Sequence, residues 1–76
     1  MDKKERLEEK ERKFFRFIKN FLENHGYSPS FREIAGEFGC SLNTVSYILD
    51  SLREKEMIFF EDGKSRTIVI VNDMEV

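Results

Sequence analysis

The spacing of apolar positions changes twice along this chain, and the changes mark out its elements. Residues 1–13, MDKKERLEEKERK, are nearly all charged and rich in good helix formers. Oppositely charged pairs at i,i+4, such as Glu8 with Arg12 and Glu9 with Lys13, predict a solvated helical extension there. From Phe14 the apolar residues take helical spacing: Phe14, Phe17, Ile18, Phe21 and Leu22 form one stripe. Gly26 is placed to end that helix, because glycine enters the left-handed backbone region without penalty. Tyr27-Ser28-Pro29 should then be extended, since a residue before proline avoids the helical region. Ser30 with Glu33 three residues on is a capping box, and it opens a second helix through Ile34, Ala35 and Phe38. Gly39 breaks this helix. Ser41 can cap a third helix, over 42–55, with Leu42, Val45, Ile48, Leu49 and Leu52 inward. The period then falls to two. Met57 to Glu61 reads as a strand, Asp62-Gly63 as a hairpin turn, and Arg66 to Val71 as a second strand rich in β-branched residues. Ser28 to Ser30 is a candidate for a further short extended edge. Ile58, Phe60, Ile68 and Ile70 should face inward, leaving Phe59, Val69 and Val71 outside.

The stretch FREIAGEFGCSLNTVSYIL, residues 31–48, carries a second layer of spacing. Ala35 stands where two helices approach, and a large side chain there would push them apart. Gly39, four residues later, occupies the turn. Val45 and Ile48 follow at six and three residues and point between the helices. This is the pattern of a helix-turn-helix. An ordinary helical hairpin would share it, but a helix-turn-helix followed by a strand pair is a winged helix. The expected fold is therefore α+β, mainly α: a winged helix-turn-helix domain over 14–71, with three helices followed by a two-stranded wing hairpin. The charged extension over 1–13 precedes it, and a polar tail over 72–76 follows.

Charge bears on what such a domain could bind. The net charge is −2, and the basic residues are not gathered on one segment. Residues 1–24 hold eight basic and six acidic side chains, 25–56 hold three and five, and 57–76 hold two and four. Any contact with nucleic acid must use a few well-placed cations rather than a positive surface. Seventy-six residues suit one small domain, and hydrophobic residues at 39% suit a folded chain rather than a disordered one. The single cysteine, Cys40, leaves no internal disulfide and fits a reducing compartment. No apolar run approaches the ~18 residues of a membrane span, and no signal peptide opens the chain, so the expected location is cytoplasmic and DNA-associated, without a membrane partner.

The residues quoted above carry a family resemblance. FIKNFLENHGYSPSFREIA, the turn EFGCSLNTV and the closing MIFFEDGKSRTIVIV make residues 11–71 resemble the N-terminal DNA-binding domain of the LexA repressor family. The resemblance implies a winged helix-turn-helix that reads double-stranded DNA. It stops short of that family's self-cleaving, dimerising domain, so no Ser–Lys catalytic pair carries over. The charged N-terminal extension is additional. The surface of the third helix differs, so the family's operator sequence does not carry over either.

In a helix-turn-helix the N-terminal part of the second motif helix enters the major groove. With Leu42, Val45, Ile48 and Leu49 inward, the outward set is Ser41, Asn43, Thr44, Ser46, Tyr47 and Asp50. The resemblance puts Ser41, Asn43, Thr44, Ser46 and Tyr47 at base-contacting positions. The chemistry agrees: asparagine can bond adenine bidentately, and serine and threonine are tolerant readers. No charge lies between Ser41 and Leu49, so this helix would read bases through neutral groups while cations elsewhere hold phosphates. The phosphate candidates are Arg32, the Ser28 and Ser30 hydroxyls, and Lys64, Ser65 and Arg66 at the wing tip, with Arg53 and Lys55 as weaker ones. Asp50 is suited to an ion pair. So few cations imply weak binding by one copy and hence a homodimer.

Two surfaces offer themselves for pairing. Phe59, Val69 and Val71 form an exposed apolar face on the hairpin, suited to a partner. The first helix offers a Leu7–Phe14 heptad step. His25 is suited to the end of the first helix, and Cys40 to partial burial. No metal-ligand spacing, cofactor motif, small-molecule site or nucleophile–base pair is present, and the fifteen carboxylates read as solvated surface rather than as the site of an enzyme. Two functions stand. One is a sequence-specific DNA-binding regulator, acting as a repressor by occluding a promoter. The other is a protein-interaction winged helix docking through the exposed face of its wing.

Overall fold

A computed structural model describes residues 7–73. Three helices, α1 (Glu9–His25), α2 (Phe31–Phe38) and α3 (Leu42–Glu54), are followed by two short strands, β1 (Ile58–Phe59) and β2 (Val69–Ile70). The strands pair antiparallel, Ile58 opposite Ile70 and Phe59 opposite Val69. This is the expected order of a winged helix.

The local signals act as the sequence implied. Gly26 ends α1 at φ 77°, donating its N–H to Leu22 O. Gly39 takes φ 63° and donates to Ala35 O, closing α2 and starting the turn into α3. A side chain at either glycine would meet no neighbour, so the requirement is purely one of backbone conformation. The Ser30–Glu33 capping box is formed in both directions, at 2.9 and 3.1 Å.

One core runs through all the elements. Phe15, Ile18, Ile34, Val45, Leu49, Leu52, Ile58 and Ile68 are fully buried at its centre. The hairpin alternates as expected, with Ile58, Phe60 and Ile68 inside and Phe59, Val69 and Val71 half-exposed outside.

The structure departs from expectation in four places. First, the buried stripe of α1 is turned toward Phe15, which is wholly buried, while Phe17 and Leu22 pack at the margin of the core. The apolar residues Phe14 to Leu22 spread over roughly 160° of this helix's circumference at about 100° per residue, so their spacing alone does not say which part of that arc is innermost. Phe17 and Phe21 instead join a ring cluster with Phe38, His25 and Tyr27. His25 thus ends the helix as expected. Second, Leu42 is exposed rather than inward. It is the first residue of α3, and helical side chains lean toward the N-terminus, so this one projects past the packed turn.

Third, each strand is only two residues long. At the open end the Val71 N–H still donates to Met57 O at 2.9 Å, while toward the tip side chains take over the pairing. The Glu61 N–H donates to Thr67 Oγ1 at 2.9 Å, and the Ile68 N–H donates to Ser28 Oγ at 3.1 Å. Ser28 to Ser30 is therefore no strand; one hydroxyl does that work.

Fourth, the boundary expected at residue 13 falls inside a continuous helix whose first turns are packed. Leu7 and Glu11 are 5% and 6% exposed. Residues 1–6 and 74–76 of the expected extension and tail lie outside the described residues, and Asp73 is tied to Lys19 at 2.8 Å. Glu11 is buried because it is fully partnered. It accepts from the Glu8 N–H at 2.9 Å, from Lys55 Nζ at 2.6 Å and from the Ser51 hydroxyl. One carboxylate thus caps α1 and clamps it to the C-terminal end of α3.

Burial alone would raise the Glu11 carboxyl, but the hydrogen bonds from Lys55, Ser51 and Glu8 outweigh it and hold the group below the ordinary 4.5. A lowered folded-state pKa contributes stability that is present above the unfolded value and lost as pH falls through the folded one. Glu11→Gln should therefore cost on the order of 2 kcal/mol at neutral pH, less than a fully buried pair because Lys55 keeps 14% of its side-chain exposure. Thermal melts between pH 3 and 7 should show the gap from wild type narrowing below pH ~4.5. A gap that stays constant with pH would overturn the assignment.

Candidate nucleic-acid interface

The expected reading surface grows out of the turn between α2 and α3. Ser41 caps α3 by accepting the Thr44 N–H at 3.1 Å, and its hydroxyl donates to Thr44 Oγ1 at 3.1 Å. These two hydroxyls thus hold each other and the helix start. Asn43 stands exposed, Tyr47 is 76% exposed, and Ser46 is half-buried on one flank. All five expected readers lie at the start of α3, but only Asn43 and Tyr47 project freely. Asp50 is occupied elsewhere, paired with Arg53 at 3.0 Å.

On that flank lies a cleft of about 340 Å³ between the start of α2, the start of α3 and the wing. Ser30, Arg32, Ser46, Lys64 and Ser65 line it, together with Leu42 and, over its floor, Phe31 and Phe60. The Phe31 and Phe60 rings meet edge-on at 5.4 Å there. Arg32 is exposed and has no ion-pair partner among the described residues, while Lys64 lies only loosely near Glu61, at 3.6 Å, with 71% of its side chain exposed. The cleft thus gathers Ser30, Arg32, Lys64 and Ser65 beside the reading helix. Its wing wall also carries the carboxylates of Glu61 and Asp62.

Four phosphate candidates are already engaged within the fold. Ser28 is buried, with its hydroxyl bonded to Pro29 O and accepting from the Ile68 N–H, so it cannot reach a phosphate. Arg66 is forked onto Glu33, Nη1 and Nη2 each 3.0 Å from a carboxylate oxygen. Its Nη1 also donates to Ser28 O, and its guanidinium lies 5.1 Å from the Tyr27 ring. Arg53 lies 3.9 Å from the Phe60 ring and donates to Phe60 O, Asp50 and Asp62. Lys55 is held by Glu11. In each case a neighbouring carboxylate or carbonyl has claimed the group.

Glu33 is the residue that sequence patterns place only as half of a capping box. It does two things: it completes that box and pins the wing through Arg66, a residue at φ 59° whose backbone needs such restraint. The hydrogen bond from Arg66, then that from the Ser30 N–H, hold the Glu33 carboxyl below its ordinary value, and Glu33 in turn raises Arg66. The contact spans 33 positions, and no local spacing announces it.

The family model for the LexA DNA binding domain matches residues 4–67. The chain belongs to the LexA DNA-binding domain family. It is 38% identical over 68 residues to the LexA repressor of Desulfatibacillum aliphaticivorans, covering 88% of this chain and 34% of that protein. It is 36% identical over 70 residues to the LexA repressor of Thermosipho melanesiensis, covering 92% and 35%, and 39% identical over 69 residues to that of Geotalea uraniireducens, covering 88% and 34%. The chain spans about a third of the length of these relatives. The LexA-like domain has no described helix long and apolar enough to cross a membrane. Among its described residues, no three His, Cys, Asp or Glu side chains converge as metal ligands. Cys40 is partly buried, as expected.

The two roles open to Arg66 in this LexA-like wing differ in sign. If it held phosphate, Glu33→Gln would free a cation and strengthen DNA binding. If Arg66 serves to pin the wing, Glu33→Gln and Arg66→Lys should each weaken duplex binding several-fold, and the double variant should be little worse than either. Glutamine keeps the capping box, so α2 stays capped. Band-shift titration of the three variants decides it; tighter binding by Glu33→Gln would restore Arg66 as a phosphate contact.

Proposed function

We propose that this LexA-like domain is a sequence-specific double-stranded DNA-binding regulator that represses transcription by occluding a promoter, as the name of its relatives suggests. The observation that carries the reading is the uncharged, exposed start of α3, with Asn43 and Tyr47 free, set beside a cleft that gathers Arg32 and Lys64. Neutral groups there would read base edges in the major groove, Ser41, Thr44 and Ser46 contributing from the cap and the flank. Arg32, Lys64, Ser65 and Ser30 would hold the backbone. No catalytic step belongs to this reading, and the protein would work in the cytoplasm, on DNA. Selection of bound duplexes from a random pool tests it: an enriched motif supports the reading, and no enrichment even at low salt overturns it. Within that motif, Asn43→Ala should relax one base position and cost about 1–3 kcal/mol. Equal losses on selected and random DNA would move Asn43 to a backbone role.

Pairing is part of the proposal, because one helix reads only a handful of base pairs. The Leu7–Phe14 seam is ruled out, since both side chains are buried in the protein's own core. The face of Phe59, Val69 and Val71, exposed at 50%, 51% and 57%, is the surface left for a second copy. Sedimentation equilibrium should show a dimer at tens of micromolar, free or on DNA, and Phe59→Glu should return it to monomer. A wild-type chain that stays monomeric in both states would remove pairing from the proposal.

A further inference from the structure

An α-helix with its side chains is ~10–12 Å across, and the major groove is ~12 Å wide. A reading helix in that groove therefore has phosphates of both strands close on its two flanks. The cleft under the wing serves one flank of α3, through Leu42 and Ser46. The other flank carries Thr44 and Ile48. At about 100° per residue, these four positions put the flanks roughly 100° to either side of Asn43 and Tyr47.

A second cleft, of about 230 Å³, lies on that other flank, walled by the first half of α1 and the turn between α2 and α3. Phe14 and Phe38, stacked at 4.2 Å, are part of its lining, and Lys10 and Lys13 line it together with Thr44. Both lysines are exposed. Lys10 has no ion-pair partner among the described residues, and Lys13 approaches only Glu9, at the limiting distance of 4.0 Å. The clamp of Glu11 on Ser51 and Lys55 fixes this end of α1 against α3, so the two ammonium groups are carried on a rigid element.

We infer that Lys10 and Lys13 hold DNA backbone phosphates on the flank of α3 opposite the wing, so that the reading helix is seated between two pairs of cations, Arg32 with Lys64 and Lys10 with Lys13. The inference rests on the DNA-binding reading above. It gives the first turns of α1 a part in binding that their mixed charge conceals.

The test is the salt dependence of duplex binding for the wild type, for Lys10→Gln/Lys13→Gln, and for Lys19→Gln as a control. Lys19 lies on the opposite side of α1, facing β2 and Asp73. The double variant should bind selected and random duplexes several-fold more weakly. Its log–log salt slope should flatten by about 0.9 per lost contact, up to ~1.8 for the pair. Lys19→Gln should keep the wild-type slope, and the double variant should melt like the wild type, because Lys10 and Lys13 are exposed. A double variant with the wild-type slope, or a control that flattens equally, overturns this inference and leaves the DNA-binding reading intact. A wild-type chain that binds no duplex at low salt overturns both.

Discussion

One helix has to belong to the core and to the proposed reading surface at once, and that constraint organises the rest of the molecule. α3 buries Val45, Ile48, Leu49 and Leu52 completely or nearly so, while Asn43 and Tyr47, interleaved with them, stand in solvent. A helix held this way cannot move its reading face without disturbing the core. The orientation of Asn43 and Tyr47 is therefore set by packing rather than by the loop before them. The αL turn at Gly39 and the Ser41 cap fix where the helix begins, and the Glu11 clamp fixes where its far end rests. Reading groups carried on a packed element keep their geometry before a ligand arrives, which limits the ordering cost of binding.

Ion pairing divides the basic residues into two populations. Arg53, Lys55 and Arg66 are each committed to a carboxylate and to holding two elements together. Arg53 joins the wing to α3, Lys55 joins α1 to α3, and Arg66 joins the wing to α2. Arg32 and Lys64 remain on the side of the molecule where α3 shows its free face. An acidic chain can thus have a usable cationic surface, because many of its acids are already matched with bases inside the fold. Net charge sums the two populations and so says little about either.

The elements of this fold were legible because each rests on local chemistry. Gly26 and Gly39 take the left-handed conformation their positions suggested, Ser30 and Ser41 cap, and alternation in the hairpin separates Ile58 and Phe60 from Phe59. What was not legible depends on contacts between distant positions. Leu7 and Glu11 look solvated in a run of charges, and only the Ser51 and Lys55 side chains, 40 and 44 residues from Glu11, show why that end of the helix is buried. Ser28 and Arg66 have the right chemistry for phosphate and the right place in the chain, yet each is taken by the other's neighbourhood: Ser28 by the Ile68 N–H, Arg66 by Glu33. Leu42 fits the inward spacing but sits where the helix has not yet met its partner. The motif led to the expectation of a reading set at the start of α3; that Ser41 and Thr44 satisfy each other there was not legible.

The pairing of Glu33 with Arg66 also bears on how wing and reading helix are coupled. Glu33 belongs to the first turn of α2, which packs on α3, while Arg66 belongs to the wing. The hairpin itself is joined by a ladder only two residues long, too short to hold its own tip rigidly. The wing's position relative to Asn43 and Tyr47 is thus set less by strand pairing than by side chains that reach from the helices and the segment between them: Ser28 to the Ile68 N–H, Glu33 to Arg66, and Arg53 to Phe60 O. Lys64 and Ser65 lie between the Arg53 and Arg66 attachments, and so hang from α3 on one side and α2 on the other. The distance between these cations and the proposed reading groups, Asn43 and Tyr47, is a property of the helix-turn-helix itself, with the hairpin serving as the arm that carries the cations.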